Sequence, residues 1–260
     1  MQHNLETLQA NGIAPFAISP DPQDLLRRFS EKFAVTYPLL SDVDSRVIRE
    51  FGIFNEHIPE DHPWFGIPYP GTFMIDKDGR VFDRTFFADH MVRESVNDML
   101  QGSYRIVDLE RGEIQTLVTS HLEARVYFSS PTVRPAQRTV LTIEIELAEG
   151  MHVYGRPLPD GYIPVEVSVE GGEVLELVEV EYPVAKELGF EVIGETLPAY
   201  EGRLALKAHC LGRAREKQHA RIRVQLRYQA CDKHECYLPQ TLDFDLPLEV
   251  LPHDWEQLDA

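Results

Sequence analysis

Residues 222–248 read IRVQLRYQACDKHECYLPQTLDFDLPL. Apolar residues alternate with polar ones on both sides of a short central segment: Ile222, Val224, Leu226 and Tyr228 before it, Leu242, Phe244, Leu246 and Leu248 after it. A period of two puts each set on one face of a β-strand. Two half-buried strands so closely joined are neighbours in an antiparallel sheet. Cys231 and Cys236 flank the tight turn between them. In that position their Cα atoms can come within the roughly 4.4–6.8 Å that a disulfide spans. The loop such a bond closes is tiny, so on the loop-entropy argument it adds little stability. A bond that stabilises little and sits at a turn suits switching better than stapling.

The alternation extends back along the chain. Leu122, Ala124, Val126 and Phe128 share one strand face; Leu141, Ile143, Ile145 and Leu147 share another; Val165, Val167 and Val169 repeat the pattern. Leu204, Leu206 and Ala208 do the same, and Cys210 continues their inward parity as a small buried hydrophobe, with His209 pointing outward. Six or more such strands, separated by turns such as Glu170-Gly171-Gly172, predict an all-β sandwich.

Before residue 102 the pattern differs: short apolar strands alternate with helical periodicity. Leu5 and Leu8 share a short helix stopped at Asn11-Gly12. Residues 13–18 read as a strand. Asp21-Pro22 opens a helix, with Asp21 as its cap and Leu25, Phe29 and Phe33 on one face. Residues 38–40 are extended, and Asp44 caps a helix carrying Val47, Ile48 and Phe51. Residues 71–75 and 81–86 are strands joined by Asp76-Lys77-Asp78-Gly79, and Val92, Val96 and Leu100 mark a last helix. The expected order is α-β-α-β-α-β-β-α. The expected organisation is an α/β segment over 1–102, a linker over 103–114, a sandwich over 115–251 and a tail over 252–260.

The chain has 260 residues, 43% of them apolar, enough for two ordinary domains with real cores. Its formal net charge of −18 repels phosphate backbones and anionic lipid, which argues against nucleic acid and membrane surfaces as partners. No apolar run approaches the length of a membrane span. Residues 1–12 have neither a basic n-region nor an apolar h-region, which points to the cytoplasm.

Three stretches of the first segment resemble the alkyl hydroperoxide reductase/thiol-specific antioxidant (AhpC/TSA, peroxiredoxin-like) family of the thioredoxin fold. They are Ala17-Ile18-Ser19-Pro20-Asp21, Pro38-Leu39-Leu40-Ser41-Asp42, and Pro70-Gly71-Thr72-Phe73-Met74-Ile75-Asp76-Lys77-Asp78-Gly79. The resemblance implies an incomplete thioredoxin-like fold, because the family places two strands and then a peroxidatic cysteine at the start of its first long helix, and this chain begins inside that helix. No cysteine precedes Cys210. Without a thiolate there is no nucleophile for peroxide, so this segment is not a peroxidase by itself. The leading expectation is a shortened N-terminus, ahead of a genuine pseudo-enzyme. The resemblance also implies that Pro70, ahead of the Thr-Phe strand, is a cis-proline candidate.

The stretch from Tyr228 to Gln240 resembles the active-site hairpin of the N-terminal domain of the thiol:disulfide interchange protein DsbD, in its Tyr-Gln-x-Cys opening and Cys-Tyr-x-Pro close. Met151-His152-Val153-Tyr154 and Gly161-Tyr162-Ile163-Pro164-Val165 fit the same family. The resemblance implies an immunoglobulin-like sandwich whose cysteine pair exchanges electrons with a thioredoxin-fold protein or another thiol donor. It implies catalytic roles for Cys236, facing the partner, and Cys231, resolving the mixed disulfide. It also implies an aromatic cap somewhere in residues 182–200, where Tyr182, Phe190 and Tyr200 are candidates and none is assigned. His234 and Lys233 are candidates for favouring a thiolate, opposed by Asp232 and Glu235. The family's domain is periplasmic, which leaves the compartment open against the missing signal.

Other readings of these residues remain. The cysteines can form a static bridge, stay as free thiols, or join His234 as three ligands of a zinc site that needs four. His57, His62 and His90 lie at irregular spacings that fit exposed loops better than a metal site, and the expectation is no metal and no cofactor. Trp64 and Phe65 suit either a recognition loop or local packing. The expected function is a thiol–disulfide oxidoreductase module with an antioxidant or redox role in the intact chain, peroxiredoxin-related but lacking the peroxidatic cysteine. The rival is a non-catalytic interaction protein with a degenerate thioredoxin fold and structural cysteines.

Overall fold

A computed structural model describes residues 1–87, 89–106, 109–190 and 194–253. The chain folds as two compact units, Met1–Val96 and Asn97–His253.

The first unit contains α1 (Leu5–Ala10), β1 (Ala17–Ser19), α2 (Gln23–Phe33), β2 (Leu39–Ser41), α3 (Arg46–Glu50), β3 (Gly71–Ile75), β4 (Val81–Phe86) and the short β5 (Arg93–Glu94), and the chain leaves it through α4 (Val96–Gly102). Strands β1 and β2 pair in parallel, Ala17 opposite Leu39, with α2 as the crossover. Strands β3 and β4 form an antiparallel hairpin. Its turn is held by the Asp76 carboxylate, whose Oδ1 accepts the amides of Asp78 and Arg80, both at 2.9 Å. Gly71 lies opposite Phe86, and a Cβ there would fall 2.1 Å from the ring. Only glycine lets that aromatic lie across the strand.

Two local expectations change. Helix α3 is capped by Asp42 rather than Asp44: its carboxylate accepts the amides of Arg46, Val47 and Ile48 at 2.9–3.2 Å. Ser45 adopts a left-handed conformation (φ 50), which bends the chain so that the earlier acid meets the orphan N–H groups. Asp21 does not cap α2, which starts at Gln23 with no side-chain cap; its carboxylate instead accepts the Ser19 hydroxyl. The apolar stripe of α2 is on the surface: Leu25 and Phe29 are about half exposed, and Phe33 stacks on Phe29 with centroids 4.5 Å apart. Periodicity defines a face but not what covers it.

The second unit is built of strands: β6 (Gln115–Val118), β7 (Leu122–Phe128), β8 (Thr132–Val133), β9 (Gln137–Leu147), β10 (His152–Tyr154), β11 (Glu166–Glu170), β12 (Leu175–Glu181), β13 (Lys186–Phe190), β14 (Glu195–Glu201), β15 (Arg203–Gly212), β16 (Gln218–Tyr228), β17 (Ala230–Cys231) and β18 (Gln240–Val250). One sheet runs β12-β15-β9-β7-β6 and a second β11-β16-β18-β8. Their inner faces share one apolar core. Leu141, Ile143, Leu206, Ala208 and Cys210 come from the first sheet, Ile222, Val224, Leu226, Phe244 and Leu246 from the second. Each such Leu, Ile or Phe contributes roughly 1.5–3 kcal/mol by leaving water. Outer positions of the second sheet carry exposed cross-strand ion pairs, Arg221–Asp245 and Arg223–Asp243. These contribute about 0.2–1 kcal/mol each, so burial and not charge holds the sandwich.

Candidate thiol–disulfide site

A third sheet, β13-β14-β10-β17, carries the site. In antiparallel register His152 faces Glu201 and Cys231, Val153 faces Tyr200 and Ala230, and Tyr154 faces Ala199. Alternation then sorts the side chains. Val153, Tyr200 and Ala230 point into the sandwich core. On the other face Tyr154, Leu197, Ala199 and Cys231 form a second apolar cluster, with Leu158, Tyr162, Leu188 and Phe190 packed against it.

Cys231 is joined to Cys236 by a disulfide with Cα atoms 4.0 Å apart. The chain reverses between them. The Asp232 amide donates to the Glu235 carbonyl at 3.0 Å, and the Tyr237 amide donates to the Ala230 carbonyl at 2.9 Å. Asp232 organises this turn: Oδ1 accepts the amides of His234 (2.7 Å) and Glu235 (2.9 Å), and Oδ2 accepts the Tyr237 hydroxyl (3.0 Å). The Glu235 and His234 amides, then the Tyr237 hydroxyl, hold its carboxyl below the usual carboxylate range. Lys233 and His234 project into solvent on the turn.

The two sulfurs sit in different environments. Cys231 is 1% exposed and belongs to the apolar cluster, while Cys236 is exposed. The Tyr154 hydroxyl lies 3.6 Å from Cys236 Sγ. That sulfur carries no proton in the disulfide, so the hydroxyl is the donor. Burial keeps the hydroxyl protonated by pushing it above the ordinary tyrosine value, with Glu195 adding to the shift. Of the three cap candidates, Phe190 alone reaches this cluster, packing on His152 (centroids 4.6 Å) and Tyr154 (5.8 Å). Tyr182 and Tyr200 pack against the sandwich core.

Two buried histidines flank the pair. His121 stacks on Tyr237 with centroids 4.5 Å apart, and His152 packs between Phe190 and Tyr154. Each has one buried ring nitrogen, Nδ1 and Nε2 respectively, without a hydrogen-bond partner. Sequence reasoning placed His152 and Tyr154 in a matching stretch but gave neither a role, because their approach to the hairpin depends on pairing across some eighty residues.

Cys210 stands apart. It is fully buried in β15, and burial pushes its thiol up to about 12. In the first unit the Tyr69–Pro70 bond is trans, and the cis peptide among the described residues is Arg156–Pro157, so the cis expectation for Pro70 fails. His57, His62 and His90 line one loop recess with Trp64, Pro70 and Arg93. Among the described residues no group of three or more His, Cys, Asp and Glu is placed to hold a metal ion, and no helix is long and apolar enough to cross a membrane.

The AhpC/TSA family model matches residues 1–84, and the model of the thiol:disulfide interchange protein DsbD, N-terminal, matches residues 120–248. Peroxiredoxin Bcp of Escherichia coli K12 is 33% identical over 97 residues, which is 35% of this chain and 59% of that protein. The putative peroxiredoxin bcp of Haemophilus influenzae is 33% identical over 90 residues, 32% of this chain and 55% of that one. The chain thus spans about half the length of the curated peroxiredoxins it matches. Among solved structures, the N-terminal periplasmic domain of ScsB from Proteus mirabilis aligns at 16% identity and TM-score 0.38, covering 57% of this chain and 56% of that one. The reduced DsbD N-terminal domain of Neisseria meningitidis aligns at 19% and 0.30, covering 40% and 74%. Residues 1–84 thus match a thioredoxin-like AhpC/TSA region and residues 120–248 a sheet-rich, immunoglobulin-like DsbD N-terminal domain, and the two matches together support a thiol redox role.

Proposed function

We propose that Cys231 and Cys236 are a thiol–disulfide exchange centre that passes two electrons to or from a thioredoxin-fold protein. The observation that carries this reading is the asymmetry of the pair: one cysteine is exposed on a turn, the other is sealed in an apolar cluster. Exchange proceeds by in-line attack of a thiolate on one sulfur with the other leaving. A partner thiolate reaches Cys236, the Cys231–Cys236 bond breaks, and Cys231 leaves as a thiolate that takes up a proton. The partner's second thiol then attacks the mixed disulfide and releases Cys236. The pair gains two electrons and the partner leaves oxidised. Lys233 brings positive charge to the turn, and Asp232 opposes it. Residues 1–209 contain no cysteine, so no thiol within these residues can accept the electrons; in an intact chain the adjoining AhpC/TSA domain is a candidate partner.

Titration of the chain in glutathione redox buffers tests this. The expected result is one two-thiol transition under native conditions, with reduction of insulin or thioredoxin lost in Cys236→Ser. A bridge that stays closed until the protein unfolds, or a Cys236→Ser chain as active as the parent, would leave only a structural crosslink.

A further inference from the structure

The exchange reading leaves one proton unassigned. When the reduced pair delivers electrons, Cys231 must lose its thiol proton before it can attack the mixed disulfide on Cys236, yet Cys231 is sealed from water. A buried thiol is disfavoured as an anion unless a neighbour takes the proton. The turn residues do not reach inward to accept it. Lys233, His234 and Glu235 are exposed, and Asp232 is engaged with two amides and the Tyr237 hydroxyl.

We propose that His152 Nε2 is the proton acceptor of the Cys231 thiol during resolution of the mixed disulfide. His152 and Cys231 are direct partners in the β10–β17 pairing. Directly opposed residues project from the same face with Cβ atoms about 4.5–5.5 Å apart. The imidazole is 6% exposed, fixed between Phe190 and Tyr154, and its Nε2 has no hydrogen-bond partner while the disulfide is closed. A buried polar atom without a partner is costly, and reduction supplies one in the Cys231 S–H. Of the titratable groups facing the ring, Glu201 on β14 and Asp232 after β17 favour its charged form, and Tyr154 lies beside it on β10. Phe190 is its neighbour from β13. Burial outweighs the two acids and holds the ring below the ordinary histidine value, so it is neutral and able to accept at pH 7.

The step balances. The Cys236 thiolate attacks a disulfide and forms a mixed disulfide, expelling the first thiolate. The Cys231 proton moves to His152 Nε2. The Cys231 thiolate attacks Cys236 Sγ, the Cys231–Cys236 bond forms, and the second thiolate leaves carrying the electron pair of the broken bond. His152 then returns its proton to solvent.

The inference rests on the exchange reading, and a single experiment separates their failures. The reduced full-length chain is mixed with Ellman's reagent in a stopped-flow instrument. The first thionitrobenzoate released reports attack and the second reports resolution. Cys210 is buried with its thiol near 12 and stays silent. Two releases are expected, with the second-phase rate falling on the acid side at or below the histidine range. His152→Phe keeps the packing on Phe190; it should slow the second phase by roughly tenfold or more at pH 7, where an unassisted thiol is only a few per cent ionised. The loss should shrink as pH rises, and the first phase should stay within about twofold. His152→Gln, which can hydrogen-bond but cannot take the proton, should behave alike and carries the test if the Phe variant fails to fold. His219→Gln, at an exposed position of β16, should leave the profile unchanged. A second phase that follows thiol ionisation alone in the parent chain, or an unaltered second phase in either folded His152 variant, overturns the role of His152. Absence of any second release from the parent overturns the exchange reading and this inference together.

Discussion

Cys210 and the Cys231–Cys236 pair occupy strands of the same sandwich and obey the same alternation, yet the fold prepares them for opposite fates. Cys210 lies in the middle of β15, with Leu206 and Ala208 on its own face, paired strands on either side and no path to solvent. Its sulfur acts as a small hydrophobe. Cys231 is as buried, but it ends the two-residue strand β17 at a sheet edge, and five residues later the chain brings Cys236 back against it on the open side of a turn. On the exchange reading, what separates a reactive cysteine from an inert one is therefore not burial of the residue but whether the adjoining backbone pairs it with a second, exposed cysteine.

The sharpest way to break this contrast is to count thiols. The oxidised native chain should release no thionitrobenzoate from Ellman's reagent, the reduced native chain two equivalents and the reduced unfolded chain three. Cys231→Ser should trap a covalent adduct with an oxidised thioredoxin-fold probe through Cys236, read by mass spectrometry, whereas Cys210→Ser should trap none beyond the parent level. Labelling of Cys210 in the native state would erase the distinction.

Stability sharpens the same contrast at smaller scale. Under reducing conditions, where the bond does not contribute, Cys210→Ser buries a hydroxyl with only the distant Ala208 carbonyl nearby and should cost about 1–3 kcal/mol in urea unfolding. Cys236→Ser changes an exposed atom and should stay within about 0.5 kcal/mol. Equal costs would mean that Cys236 is packed in the reduced state.

The hairpin and the inward parity of Cys210 were legible because both are local: a period of two fixes the face whatever the sheet order. The element order of the first segment was legible for the same reason, except that β5 (Arg93–Glu94) occupies the start of the stretch read as the last helix, which begins only at Val96. The third sheet was not. It joins residues 152–154, 186–190, 195–201 and 230–231, which no local pattern connects, and so the roles of His152, Tyr154 and Phe190 stayed hidden although all three side chains were in view. Asp42 displaced Asp44 as a cap because one left-handed serine redirected the backbone, and Leu25 and Phe29 stayed exposed because a helical stripe does not announce its cover.

The smallest expected effect tests whether the open side of the pair is itself tuned. Tyr154 is 2% exposed and its hydroxyl reaches the sulfur of the exposed cysteine, Cys236. After reduction the same hydroxyl can donate to the Cys236 thiolate but gains less from the neutral thiol, so it lowers the thiol pKa relative to an unassisted cysteine. Burial, then Glu195, raises the tyrosine's own value, so the donor proton is retained throughout the range in which the thiol titrates. Tyr154→Phe removes the donor and keeps the ring that packs on Phe190 and Tyr162. Sulfur is a weak acceptor and a net hydrogen bond contributes about 0.5–1.5 kcal/mol, so alkylation of Cys236 at pH 7 should slow by roughly threefold, with the midpoint of its pH profile moved upward. Tyr162→Phe is the control, because its hydroxyl is committed to Glu195 at 2.8 Å. If both variants slow alkylation equally, the aromatic surround acts by packing and not through the sulfur contact. If only Tyr154→Phe does, the exposed half of the pair has a dedicated donor, as the sealed half has its histidine.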